Sequence, residues 1–116
     1  MAGFFGNPVA RYVTQGNVYC PVGSWAALRV GAVNQVNRQW IKFQVRSNAS
    51  LAIRYVNRNA DGTFTAPTAS AHDAVIIPSR SIMGEPISED VVVYGRAVNK
   101  AGTTAGGVRV TVTEYS

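Results

Sequence analysis

Twice within residues 39–58, QWIKFQVRSNASLAIRYVNR, side chains alternate between apolar and polar with a period of two. That period belongs to a half-buried β-strand and excludes a helix over the same residues. In the first run Ile41, Phe43 and Val45 point one way, and Trp40, Lys42, Gln44 and Arg46 point the other. In the second, Leu51, Ile53 and Tyr55 take the apolar face, with Arg54 and Arg58 opposite beside Ala52 and Val56. Paired as a hairpin, the two runs keep ladder partners on the same face. A loop of Asn48, Ala49 and Ser50 then sets Trp40 opposite Arg58 and Gln44 opposite Arg54, with a basic outer surface and Phe43 and Tyr55 in the core.

The rest of the chain punctuates itself into further short strands. Arg11 to Cys20 reads as one, interrupted near Gly16-Asn17, and Ser24 to Val33 as another, with Ala26, Leu28, Val30 and Ala32 on one face. Asp61-Gly62 is a turn signal, opening a long loop that runs to about residue 72. Asp73 to Ile77 reads as a strand buried on both faces or a short core strand. Ser79 to Met83 is a short strand, and Gly84-Glu85-Pro86 a turn. Val91 to Val98 is apolar on both faces at its start, which places it centrally, with Gly95 at a bend or close approach. In Val108 to Tyr115, Val108, Val110 and Val112 face inward while Arg109, Thr111 and Thr113 face out. Seven or eight short strands without a convincing helix predict an all-β fold. The expectation is a single β-sandwich of antiparallel strands, jelly-roll-like or immunoglobulin-like. It occupies residues 11–116, behind an N-terminal arm at residues 1–10 that carries Phe4 and Phe5.

Composition narrows the function classes. At 116 residues the chain forms one domain. Eleven basic residues, nine of them Arg, stand against six acidic ones, for a net charge of +5. Arginine forks carboxylates and tolerates desolvation, so the bias favours contact surfaces. The N-terminus has neither the basic nor the apolar segment of a signal peptide, and no apolar run is long enough to span a membrane as a helix. The expected site of synthesis is a cytoplasm.

No catalytic arrangement emerges. Ser70, His72 and Asp73 sit too close on one extended stretch to converge as a triad. Cys20, the single cysteine, has no general base nearby and reads as a small core residue. Glu85, Glu89 and Asp90 read as solvated or Arg-paired carboxylates. One His, one Cys and scattered acids do not provide a zinc set. The expectation is no enzyme, no catalytic or metal-ligating residue, no cofactor and no small-molecule substrate. Three binding classes remain. Basic strands with aromatics suit a small nucleic-acid-binding β-barrel, but face parity separates Phe43 and Tyr55 from the arginines and disfavours that class. Trp25, Trp40 and Tyr94 are candidate platforms for a carbohydrate-binding module. The third class is structural assembly.

The short Gly/Phe arm, small-residue loops and closing strand GVRVTVTEYS resemble, in overall organisation, the small decoration (cement) proteins of tailed bacteriophage heads. The resemblance carries over no individual residue. It implies a virion protein that assembles as a homodimer or homotrimer on the outer capsid surface, with the major capsid protein as partner. Other head-completion or tail structural proteins share these traits. Within that reading Phe4 and Phe5 are apolar arm anchors, and Lys42, Arg46, Arg54 and Arg58 complement an acidic lattice.

Overall fold

The computed structural model describes residues 12–46, 49–68, 75–98 and 107–116. These form eight strands and no helix: β1 (Val13–Pro21), β2 (Ala26–Ala27), β3 (Trp40–Val45), β4 (Ser50–Asn57), β5 (Val75–Ile77), β6 (Ile82–Glu85), β7 (Val91–Val98) and β8 (Gly107–Tyr115). They pair antiparallel in two four-stranded sheets, β1-β8-β3-β6 (sheet A) and β2-β7-β4-β5 (sheet B). Every connection except β4 to β5 crosses from one sheet to the other. That is the jelly-roll form of the expected sandwich, and it excludes the immunoglobulin-like alternative.

The 39–58 stretch is therefore no hairpin. β3 pairs with β8 and β6, and β4 pairs with β7 and β5. The connection between β3 and β4 carries the chain across the sandwich. Phe43 faces Val112 and Met83 along its ladders, and Trp40 lies opposite Tyr115 instead of Arg58. Face parity survives the change. Ile41, Phe43 and Val45 are buried from sheet A, and Leu51 and Ile53 from sheet B, so the two apolar faces meet across the core. Val108, Val110 and Val112 of β8 and Val93 and Ala97 of β7 complete it. Each fully buried aliphatic or aromatic side chain contributes roughly 1.5–3 kcal/mol.

Several other strands depart from expectation. β1 runs through Gly16-Asn17 without a break, paired residue for residue with β8. Ser24 to Val33 contributes only Ala26–Ala27 as strand. Of its apolar face Leu28 is buried, while Val30 is exposed. Val75 and Ile76 of β5 are half exposed because, among the described residues, β5 pairs only with β4 and forms a sheet edge. Gly84 and Glu85 belong to β6 instead of a turn. Tyr55 remains 42% exposed, its hydroxyl donating to Glu85 of the opposite sheet. The Asp61-Gly62 turn forms as expected, with Gly62 at φ 88° and Thr63 donating to Asp61 Oδ1 at 3.0 Å.

β7 lies between β2 and β4, and Gly95 is the close approach its sequence signals. A Cβ there would stand 3.0 Å from the Cδ1 atoms of Leu28 and Leu51 and 3.1 Å from Cys20 Sγ, where the two sheets touch. Gly95→Ala is expected to destabilise the fold by about 1–3 kcal/mol through overpacking. Chemical denaturation checks this; an unchanged midpoint contradicts it.

Candidate docking surface

A buried ion pair organises one end of the sandwich. Glu114 follows Val108, Val110 and Val112 at the two-residue period, so its carboxylate enters the interior face of β8. Arg38 meets it, Nη1 to Oε2 at 2.7 Å, with both side chains essentially buried. Glu114 also accepts from the Val30 N–H at 2.8 Å and the Gln35 N–H at 3.2 Å. Arg38 donates to the carbonyls of Ile87 at 3.3 Å and Ser88 at 2.8 Å, and to that of Val91. Asn34 Nδ2 adds bonds to the Glu89 and Val91 carbonyls at 2.7 and 3.2 Å. Within the expected 24–33 strand the Leu28 N–H still reaches the Val93 carbonyl, but the Val30 N–H is taken by Glu114 instead of a ladder, and the strand extends no further than Ala26–Ala27. An open cavity of about 840 Å³ lies outside this network, lined by residues including Gln35, Arg38, Glu89 and Asp90.

The outer face of sheet A is a four-stranded surface. The ladders place Val13, Tyr115 and Trp40 in one row and Gln15, Thr113 and Lys42 in the next. Asn17, Thr111 and Gln44 follow, then Tyr19 and Arg109. Side chains lock the middle rows: Gln15 Nε2 donates to Thr113 Oγ1 at 3.0 Å, and Thr111 Oγ1 to Asn17 Oδ1 at 2.8 Å. Trp40 lies across β6, where a Cβ on Gly84 would come within 2.9 Å of the indole nitrogen. At the opposite end the Arg46 N–H donates to the Arg109 carbonyl at 3.0 Å. Tyr19, Arg46, Gly107 and Arg109 line a shallow cavity there of about 330 Å³. The face is polar at its centre, aromatic at one end and arginine-rich at the other.

The four basic residues expected on one surface are divided. Lys42 and Arg46 lie on the outer face of sheet A. Arg54 lies on sheet B with its guanidinium 5.8 Å from the Trp25 ring centroid. Arg58 is tied down, bonded to Asp90 at 3.1 Å and to the Gly62 and Glu89 carbonyls at 3.0 Å, and 4.8 Å from the Phe64 ring centroid. The division follows from β3 and β4 belonging to different sheets. Phe4 and Phe5 lie outside the described residues, as do Ser70, His72 and Asp73. Of the aromatic platforms, Tyr94 is buried and Trp25 is engaged by Arg54, leaving Trp40 exposed on the outer face of sheet A.

Arg109, Tyr19 and Tyr115 join that face only because β8 sits between β1 and β3, a long-range pairing with no local signature. Glu114 was detectable: a carboxylate in phase with three inward valines requires a buried cationic partner. The carboxylates near Pro86 are engaged, Glu85 by Tyr55, Asp90 by Arg58 and Glu89 by the Asn37 N–H at 2.9 Å. Burial pushes the Cys20 thiol up to about 12, so it stays protonated near neutral pH and packs as a small apolar group. Burial, followed by the hydrogen bond and charge of Glu85, raises Tyr55 above the ordinary phenol value. Among the described residues no His, Cys, Asp and Glu cluster has the makings of a metal site, and no helix is long and apolar enough to cross a membrane.

No family model matches the chain, and no curated protein matches it. Among solved structures, RmlC from Streptococcus suis in complex with dTDP-D-xylose matches at 10% identity and a TM-score of 0.50. That match covers 90% of this chain and 44% of the RmlC chain, so the chain spans less than half of its length. A chain from the Bacillus endospore appendages, a family of disulfide-linked pili, matches at 14% identity and a TM-score of 0.40. It covers 100% of this chain and 97% of that one. The likeness to RmlC is one of fold.

Removing one partner of the buried pair strands the other charge. Glu114→Ala is expected to cost about 3–5 kcal/mol, while replacing both Arg38 and Glu114 with apolar residues of similar volume recovers much of that loss. A double-mutant cycle by urea denaturation measures it. Additive losses contradict direct coupling.

Proposed function

We propose that this chain is a structural, non-enzymatic virion protein that binds the outer surface of a bacteriophage capsid and bridges neighbouring capsid subunits. The observation that carries the reading is the outer face of sheet A. It is a broad four-stranded surface, stiffened by a side-chain ladder, with Trp40 towards one end and Arg46 and Arg109 at the other. Tryptophan, tyrosine and arginine are the side chains that anchor protein interfaces, and small polar neighbours allow close approach. The partner is the major capsid protein. Lys42 and Arg46 meet carboxylates on the lattice, and Trp40 supplies apolar area beside them. Arg54 and Arg58 act within the domain, at Trp25 and at Asp90. Phe4 and Phe5 of the N-terminal arm anchor to an adjoining subunit. The protein is made in the host cytoplasm and resides on the capsid. Many modest contacts on one shell act together through avidity.

Binding of the purified protein to expanded, undecorated cognate heads tests this. Trp40→Ala, and Lys42→Glu combined with Arg46→Glu, are each expected to weaken binding by about 10-fold or more. Binding of the unsubstituted protein weakens as salt rises, because exposed charges are screened within about 10 Å at 0.1 M ionic strength. Removal of residues 2–10 also lowers affinity. Unchanged binding by both face variants overturns the docking surface, and no binding to heads at all overturns the capsid reading.

A further inference from the structure

Among the described residues, three of the four edge strands are short: β2 has 2 residues, β5 has 3 and β6 has 4. Short edges are one way that proteins avoid pairing with other chains. β1 departs from this. It is 9 residues long, VTQGNVYCP, carries no charged side chain, and has proline only at its last position. Among the described residues it pairs only with β8.

The hydrogen-bond phase shows which backbone groups of β1 aim away from β8. Tyr12 and Ser116 exchange both backbone bonds, at 3.4 and 3.0 Å. In an antiparallel ladder such doubly bonded pairs recur at every second residue. Thr14, Gly16, Val18 and Cys20 therefore bond β8, and Val13, Gln15, Asn17 and Tyr19 aim their N–H and C=O groups away from it. β8 agrees from its other side. The Tyr115 and Arg109 carbonyls accept from Gln39 and Arg46, so its odd-numbered residues bond the β3 side. The outward-aimed residues include Val13 and Tyr19, which are 55% and 57% exposed.

We propose that this edge pairs with the same edge of a second copy, antiparallel about a two-fold axis through Asn17. The register is self-complementary. Asn17 meets Asn17, Gln15 meets Tyr19, and Val13 meets Pro21, which lacks an N–H but still accepts. Every outward-aimed residue then meets another, for about eight backbone hydrogen bonds. A chain of net charge +5 repels its copies, and this uncharged strand lets two meet with no like charges directly opposed across the ladder. The joined sheet, β6-β3-β8-β1-β1-β8-β3-β6, has eight strands, within the usual range of about 2–10. The isologous contact closes on itself instead of propagating into a fibre. The pairing does not depend on the capsid reading, but it would double the outer face of sheet A.

Sedimentation of the full chain tests it. The expected result is a dimer. Asn17→Pro removes an outward N–H that β8 does not use, and Asn17→Lys sets like charges across the axis. Each is expected to raise the dimer dissociation constant more than about 10-fold, with circular dichroism unchanged. A chain lacking residues 2–11 is expected to remain dimeric. Asn17→Cys is expected to cross-link with a short bis-maleimide, because directly bonded partners lie about 5.5 Å apart at Cα. The unsubstituted chain, with Cys20 buried, should not. A monomeric chain, a folded Asn17→Lys variant that stays dimeric, or dimers lost on removing residues 2–11 overturns the proposal. The last outcome assigns the edge to the arm.

Discussion

The Arg38–Glu114 pair is the constraint on which one end of the molecule depends. Its strands end in exposed loops, and residues 28–39 supply few apolar side chains to the core. Leu28 is buried, while Val33 and Val36 are exposed. Something other than hydrophobic burial must hold this segment, and the buried carboxylate does so by accepting from two of its N–H groups. Arg38 extends the hold to the 87–91 segment through three carbonyls. A buried ion pair often adds little net stability over well-packed apolar side chains, but an uncompensated charge in the same place is strongly destabilising. The pair's value lies in specifying one loop arrangement beside β8.

With that end fixed, the two sheets present different exteriors. On sheet B, Val92 and Ala52 are fully buried, and Trp25 receives the guanidinium of Arg54. Arg58 ties the turn at residues 59–63 to the 89–90 segment. Those arginines hold the domain's own loops. Sheet A presents an outer face of four strands, with side-chain bonds joining β1 to β8 within two of its rows. A stiff, broad surface loses little conformational entropy on binding, which suits attachment to another protein.

The alternating runs were legible because side-chain direction in a strand is local. β7 and β8 emerged where their valines place them, and the inner faces of β3 and β4 contain the residues that parity assigned. Partner choice was not legible. Residues 39–58 look like a hairpin because the same alternation serves two strands joined by a turn and two strands facing across a core. Only the competing ladders, β8 against β3 and β7 against β4, decide between them. That decision also scattered the basic residues: Lys42 and Arg54 share an alternation but face away from each other. Tyr55 shows where parity stops being enough. Parity puts it on the inward face, yet it stays half exposed, and Glu85 takes its hydroxyl. Val75 and Ile76 are half exposed for a related reason, since apolar sequence does not distinguish an edge strand from a central one.

The central claim is that the outer face of sheet A meets the partner and that of sheet B does not. Hydroxyl-radical footprinting of the protein, free and bound to undecorated cognate heads, reads both faces in one experiment. Trp40, Tyr19 and Tyr115 report on sheet A, and Trp25 on sheet B. Loss of oxidation at Trp40 and Tyr19 on binding, with Trp25 unchanged, is the predicted result. Protection of Trp25 with Trp40 still oxidised would contradict it.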